Sequence, residues 1–289
     1  MVKRNQIINI LVVLELVTLF VISVVGILSF NIENSFSVTN IYGQTIQLFG
    51  SGVYYYDSYF KAPIFIGTDL TVLLLVIPLI VICLVWYNLK QSNKSLLALI
   101  SLFGVVFYYS MSISTGVTYN YLFLLYIVSV MFSWIILYKL IRELDINQIR
   151  TKGSIRMFNV FLIISGLALF SIWLMDIIPT LLLNQSLLLI ETYTTEVTYV
   201  YDMAFISPIM FLSYLLIKRK DGLGFVLLSC MLVLCTIIGV MLPIQTAFQL
   251  MANIIIPIPV LIVKVGVFVI LAIFSGFLTF KLFKEIEFN

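Results

Sequence analysis

The chain of 289 residues contains no histidine, only three cysteines and few charged residues. The lack of histidine removes the commonest metal ligand and the commonest general base near neutral pH. The cysteines, Cys83, Cys230 and Cys235, lie within apolar runs, and their spacing fits neither a zinc site nor a redox motif. These absences argue against metal-dependent or histidine-dependent chemistry, and we predict no cofactor.

Charge is scarce as well. Charged residues make up 10% of the chain, hydrophobic residues make up 62%, and the mean hydropathy is +1.17. A soluble domain carries roughly 25% charged residues, and a chain this apolar would expose more hydrophobic surface than a soluble monomer tolerates. The net charge of +3 is small, and no basic patch interleaves with aromatic residues, so nucleic acid is not an expected partner. The composition fits a lipid bilayer.

Long apolar runs are abundant, and runs of ~20 such residues predict membrane-spanning helices. Eight stretches qualify, at about 7–30, 64–86, 96–114, 121–141, 157–183, 197–217, 223–250 and 254–283. The first is too long for a signal-peptide core and no small-residue cleavage site follows it, so we interpret it as a retained span. The third is the weakest, being short and rich in serine and tyrosine. We predict an all-α, polytopic transmembrane helix bundle that forms a single membrane domain over residues 1–289.

The distribution of lysine and arginine tests these spans, because cytoplasmic loops are enriched in both. With eight spans and a cytoplasmic N-terminus, fourteen of the sixteen basic residues fall on the cytoplasmic side. The exceptions are Lys61, in an outer loop, and Lys264, inside the last span. Removing one span would invert every later loop and destroy this agreement. We therefore predict a multi-pass protein of the cell membrane with both termini in the cytoplasm.

The longest outer segment, residues 31–63, contains β-forming residues at Val38–Tyr42 and Thr45–Phe49, separated by Gly43. Alternating β-formers bounded by glycines are typical of a hairpin. The tyrosines that follow, Tyr54 to Tyr56, are also compatible with an aromatic belt at the membrane interface. We predict a small extracytoplasmic β-hairpin between the first two spans.

Ionisable residues inside spans are rare, and each costs about 2.5–3.5 kcal/mol at the centre of a span. There are five, namely Glu15, Asp69, Asp176, Asp202 and Lys264. All except Glu15, which enters from the inner side, fall in the outer half at about 1.5 Å per residue. We predict a paired, water-accessible cluster in which Lys264 pairs with Asp202 or Asp69. The alternative is that the aspartates lie at the water interface, with Asp69 and Asp202 as helix N-caps.

Two spans carry a similar pattern. Asp69 and Asp202 each lie near the outer start of a span and are followed by a mid-span proline, Pro78 and Pro208, and then by a basic inner loop. Parallel repeats of this kind occur in transporters. The pattern is compatible with two four-span halves in the same orientation, and also with chance.

Further candidates for ligand binding lie in and after the third span. Tyr109, with the serines that follow it, makes this span polar enough to face the interior of the bundle, and Asn120 follows in the next loop. The stretch Ile256–Pro259 is the predicted site of a broken helix, because proline frees a carbonyl and kinks the helix.

Several stretches resemble an uncharacterised family of bacterial multi-pass integral membrane proteins. They are Ile41-Tyr42-Gly43, Leu48 to Tyr54, Thr68-Asp69-Leu70 with Pro78-Leu79, Asn120 to Tyr126, and Trp173 ahead of Tyr201-Asp202. The resemblance extends over most of the chain and implies a multi-pass fold. It brings no activity with it, and it marks the outer glycine and tyrosine segment and Asp69 as positions to test.

Three functional hypotheses follow. The first is transport or binding of a small molecule or ion, either an anionic or a proton-coupled ligand, through the outer-half polar site. The second is a non-catalytic membrane component with a protein partner, such as an assembly partner, a sensor or an immunity-type protein. The third, an intramembrane enzyme, has less support, because the chain contains no Ser-x-x-x-Lys site, no His-Glu motif and no paired-aspartate protease signature.

Overall fold

The computed structural model describes residues 2–187 and 189–288, and for residues 2–5, 260, 263 and 264 it describes the backbone alone. Within these residues, eight helices are long and apolar enough to cross a membrane. They are α1 (Val2–Leu28), α2 (Ala62–Lys90), α3 (Asn93–Gly116), α4 (Phe123–Glu143), α5 (Arg156–Leu182), α6 (Val197–Lys218), α7 (Gly222–Met251) and α8 (Val267–Glu285). The predicted helical fold with eight possible spans is confirmed, while the side on which the termini lie stays a prediction.

The third helix is longer and more central than its sequence predicts. It begins after Ser92, whose hydroxyl accepts a hydrogen bond from the N–H of Ser95 at 3.2 Å and so caps the helix. Its most apolar window is 72% buried, more than in any other described span. The serines and tyrosines that weaken its hydropathy face neighbouring helices, where Tyr109 and Ser110 are buried.

The last span starts later than predicted. Residues 254–257 form no helix or strand, a short helix runs over Ile258–Val260, and a π-helical segment, Leu261–Gly266, leads into α8. The predicted break at Ile256–Pro259 therefore lies at the connection between α7 and α8. Pro259 lies in the first turn of this short helix, where the missing N–H of proline costs little.

The two helices that carry Asp69 and Asp202 each contain one wide turn. The turns are π-helical, Val72–Val76 in α2 and Asp202–Ile206 in α6, and each is closed by an N–H that donates to the carbonyl five residues earlier. A proline lies two residues after the end of each turn, Pro78 in α2 and Pro208 in α6. Proline clashes with the carbonyl four residues before it, and local widening of the helix accommodates that clash.

A hairpin follows α1, as predicted. Its strands, β1 (Phe36–Thr39) and β2 (Thr45–Leu48), pair antiparallel, with Thr39 opposite Thr45. The turn between them is held by Asn40, whose Oδ1 accepts from the N–H groups of Tyr42 and Gln44 at 3.0 and 2.9 Å. Gly43 has φ of +76°, which favours glycine. The first strand starts two residues earlier than predicted.

A second strand pair has no counterpart in the sequence predictions. β3 (Ile149–Thr151) lies between α4 and α5, and β4 (Ile286–Phe288) follows α8. They pair antiparallel, with Arg150 opposite Glu287 at the centre. This pair joins the end of the described chain to the connection between the first four helices and the last four.

The two groups of four helices have the same pattern of neighbours. α1 and α3 each contact α2 and α4, and α5 and α7 each contact α6 and α8. The halves meet where α3 packs on α7, α2 on α7 and α3 on α6, and the hydroxyls of Ser101 and Ser229 hydrogen-bond there at 2.6 Å. The list of contacting helices stays the same when each helix of the first group is exchanged for its counterpart in the second group, α1 for α5 through α4 for α8. The packing is therefore compatible with the predicted internal repeat, which stays a prediction.

Candidate functional site

Asp69 lies on α2 with its side chain enclosed by the bundle. Its exposure is 0%, and the hydroxyls of Tyr54 and Tyr109 donate to its two carboxylate oxygens, Tyr109 at 2.9 Å. Both tyrosines are buried. On the remaining side α1 approaches so closely that a Cβ at Gly26 would overlap the carboxylate. Three segments that are distant in sequence therefore converge on one carboxylate.

The interpretation of Asp69 and Asp202 as helix N-caps is wrong. α2 begins at Ala62 and α6 at Val197, so each aspartate lies inside its helix. Neither lies at a water-exposed surface, because their exposures are 0% and 6%. Both carboxylates instead accept hydrogen bonds from other elements of the bundle.

Asp202 and Asp176 form a second group. Asp202 accepts from the Tyr108 hydroxyl at 2.8 Å and from the Trp173 indole N–H at 3.0 Å. Asp176 accepts from the Tyr199 hydroxyl at 2.7 Å. The rings of Trp173 and Tyr199 stack with centroids 4.4 Å apart, and so connect the two aspartates.

The predicted cluster is thus arranged as two groups around α3. The Tyr109 hydroxyl donates to Asp69, and the hydroxyl of its neighbour Tyr108 donates to Asp202. They reach different carboxylates because consecutive residues of an α-helix point about 100° apart. Among the described side chains, no lysine or arginine forms an ion pair with either carboxylate. The side chain of Lys264 lies outside the described residues, so its pairing with Asp202 or Asp69 stays a prediction.

Asn120 lies shortly before the first residue of α4. Its Oδ1 accepts from the N–H of Leu122 at 2.8 Å, and its amide nitrogen donates to the Tyr126 hydroxyl at 3.3 Å. These bonds order the turn before α4 and position Tyr126, which is buried. Tyr126 also interacts electrostatically with Asp69, so Asn120 is connected to the surroundings of Asp69 through this tyrosine.

The sequence predictions missed a further buried carboxylate, which lies in the segment before α2. Asp57 has 0% exposure, and its Oδ1 accepts from the N–H of Thr118 and the hydroxyl of Tyr193, both at 2.9 Å. Burial raises the pKa of Asp57 to about 6, against the opposing effect of these hydrogen bonds. An aspartate following three tyrosines carries no motif, so only the tertiary structure reveals it.

A salt bridge reinforces the same contact between segments. The Lys61 ammonium lies 2.5 Å from Glu196 and 4.2 Å from the centre of the Tyr193 ring. Tyr193 itself accepts from the N–H of Ser58 at 3.2 Å. These contacts hold the segment before α6 against the segment before α2.

Glu15 lies apart from these groups, on the face of α1 that packs against α4. It has 0% exposure, and its Oε1 accepts from the Ser129 hydroxyl at 2.5 Å. The hydroxyls of Ser129 and Ser110 are 2.7 Å apart. The structure therefore connects Glu15 to α3 one residue beyond Tyr109.

Two cavities lie at the opposite end of the bundle from Asp69. One, of about 160 Å³, is lined by Ile8 and Arg142 among others, and the second, of about 430 Å³, includes Trp86 and Lys94.

No family model matches this chain, and no curated protein or solved structure matches it either. The resemblance to a bacterial membrane protein family accordingly stays a prediction.

Proposed function

We propose that the protein is a membrane transporter that couples movement of a small solute to protons, with Asp69 as the proton-binding group of the outer site. The observation that carries this proposal is the enclosure of Asp69 by two tyrosine hydroxyls, without an ion pair to any described lysine or arginine. A carboxyl group so placed gains or loses a charge each time it exchanges a proton.

The hydrogen bonds around Asp69 suit both of its protonation states. The ionised group accepts from Tyr54 and Tyr109. The protonated group donates one hydrogen bond to a tyrosine oxygen, because a phenol both donates and accepts. The ionised state leaves neither carboxylate oxygen without a donor, a condition whose absence would cost about 1–3 kcal/mol. An asparagine would supply a neutral polar group at lower cost in a membrane, so a carboxyl group at this position favours a role that needs the proton.

The position of Asp69 connects proton exchange to the packing of the two halves. Its neighbour Thr68 accepts a hydrogen bond from the Gln245 amide of α7 at 2.7 Å, and at Gly67 the two helix backbones are in close contact. A π-helical turn and a proline follow in the same helix. Irregular turns of this kind occur frequently at functional sites, and parallel repeats that move against each other are an established transporter architecture.

The test uses purified protein reconstituted into liposomes that contain a pH-sensitive dye. A membrane potential is imposed, and small carboxylates, amino acids and sugars are added one at a time. We expect at least one solute to accelerate acidification of the lumen with the wild-type protein. Asp69→Asn, which keeps the shape and removes the titratable group, should abolish this acceleration.

The matched control is Asp145→Asn, because Asp145 is exposed and lies outside the site. It should behave like the wild type. Full solute-driven acidification in Asp69→Asn would refute the assignment of Asp69. If no solute in the panel drives acidification with the wild type, the transport proposal fails.

That last outcome would favour the second hypothesis, a non-catalytic component that binds a protein partner. One observation supports it. At the tip of the hairpin Ile41 is 89% exposed, next to a half-exposed Tyr42, and β1 pairs only with β2 among the described strands. An exposed apolar residue beside an open strand edge is typical of a surface that receives another chain.

A further inference from the structure

Glu15 differs from Asp69 and Asp202, the other carboxylates that are buried within helices, in having one oxygen without a partner, a property that it shares with Asp57 in the segment before α2. The Oε1 of Glu15 accepts from Ser129, whereas Oε2 is buried and has no hydrogen-bond partner among the described residues. Asp69 and Asp202 each have both oxygens occupied. Glu15 therefore has one oxygen that accepts no hydrogen bond from the described residues, and Asp69 and Asp202 have none.

The depth of Glu15 makes this unpartnered oxygen costly for an ionised group. At about 1.5 Å per residue, Glu15 lies ~14 Å from Gln6 and ~20 Å from Leu28, which places it near the middle of α1. One hydrogen bond does not compensate for removing a carboxylate from water. The neighbouring groups offer no charge in return: among the described residues of α1 to α4, no lysine, arginine or second carboxylate pairs with Glu15, and the Ser129 hydroxyl is its one polar partner.

A short line of hydroxyls leads from Glu15 towards the outer site. Ser129 donates to Glu15, so the 2.7 Å bond between Ser110 and Ser129 has Ser110 as its donor. Ser110 adjoins Tyr109, which donates to Asp69. Tyr109 thus contacts Asp69 directly, and Ser110, the next residue of α3, is connected to Glu15 through Ser129.

We propose that Glu15 is a second, deeper proton-binding site, in which the proton occupies Oε2 and neutralises the carboxylate near the middle of the bilayer. Binding forms one O–H bond from an aqueous proton, and release returns that proton to water. In transport this site would follow Asp69, and that role rests on the proposed function. Proton binding at Glu15 can be measured without it.

The test is infrared difference spectroscopy of the reconstituted wild-type protein as the pH is changed. A protonated carboxyl group has a C=O stretching band that a carboxylate lacks. We expect a band that decreases as the pH rises, that is completely absent in Glu15→Gln, and that shifts in frequency in Ser129→Ala because its hydrogen bond is lost. Asp69→Asn serves as the matched variant and should leave this band in place.

Three results would overturn the proposal: identical spectra for the wild type and Glu15→Gln, a Glu15 band that does not change with pH, or a band that added Na⁺ removes at constant pH, which would identify a metal-cation site. Ser129→Ala keeps the test valid if Glu15→Gln does not fold. A titrating Glu15 band in a protein without solute-driven acidification would sustain the deeper proton site and refute only the transport function.

Discussion

The contact between the segment before α6 and the segment before α2 should become less stable as the pH rises, because it includes the buried carboxyl group of Asp57. Its pKa is about 6 in the folded protein, against 3.8 for the free side chain. Between these values the folded chain keeps a proton that the unfolded chain has lost, so stability falls as pH rises through this window. A shift of about two units corresponds to about 3 kcal/mol. This contribution is fully present below about pH 4 and is lost above about pH 6.

The perturbation that isolates this effect is Asp57→Asn, which keeps an acceptor for Thr118 and Tyr193 and cannot ionise. The measurement is amide hydrogen exchange of residues 189–196 in lipid nanodiscs, corrected for the intrinsic pH dependence of exchange. Raising the pH from about 4 to about 7 should increase opening of this segment in the wild type by roughly a hundredfold relative to the variant. Parallel curves for the two proteins would refute the reasoning, since other titrating groups, such as Glu191, are common to both.

Two further predictions concern packing and topology. Gly26→Ala should lower the free energy of unfolding by about 1–3 kcal/mol, measured by thermal denaturation in detergent, because the added methyl group overlaps the Asp69 carboxylate. Gly104→Ala is the control, since its Cβ would meet only the Cys230 side chain at 3.5–3.6 Å, and an equal loss there would contradict the prediction. In a chain whose native cysteines are replaced by alanine, a membrane-impermeant maleimide should label a cysteine at Tyr42 from outside and one at Lys220 only after the membrane is permeabilised. Labelling of both from one side would refute the predicted topology.

The fold could be predicted at the level of elements because its signals are local. Runs of apolar residues predict α1 to α8, and glycine between β-formers predicts the hairpin of β1 and β2. The β3–β4 pair could not be predicted, since three residues on each side carry no strand signal and the partners are more than 130 residues apart. The sequence predicts α3 as the weakest span for a related reason. Hydropathy scores its serines and tyrosines as unfavourable in a membrane, although their hydrogen-bond partners lie on other helices.

The sequence nominates candidate residues for the site, but it does not predict how they are arranged. The cost of charge in a bilayer singles out Glu15, Asp69, Asp176 and Asp202 from the sequence alone. Which hydroxyl faces which carboxylate depends on the rotation of each helix, and one sequence contains no information on that rotation. Tyr54 illustrates the limit, because it contacts Asp69 from a short helical turn after the hairpin, and aromatic residues there are equally compatible with the membrane interface.

The pairing of β3 with β4 has a mechanical consequence. Arg150 comes from the connector between the halves and Glu287 follows the last helix, so the ribbon they form is shared by both four-helix units. If the units turn against each other, this ribbon is a tether that permits rotation and limits separation. A reporter group attached behind Phe288 would then move with the connector as well as with α8. A bulky fusion at the same place would hinder that rotation.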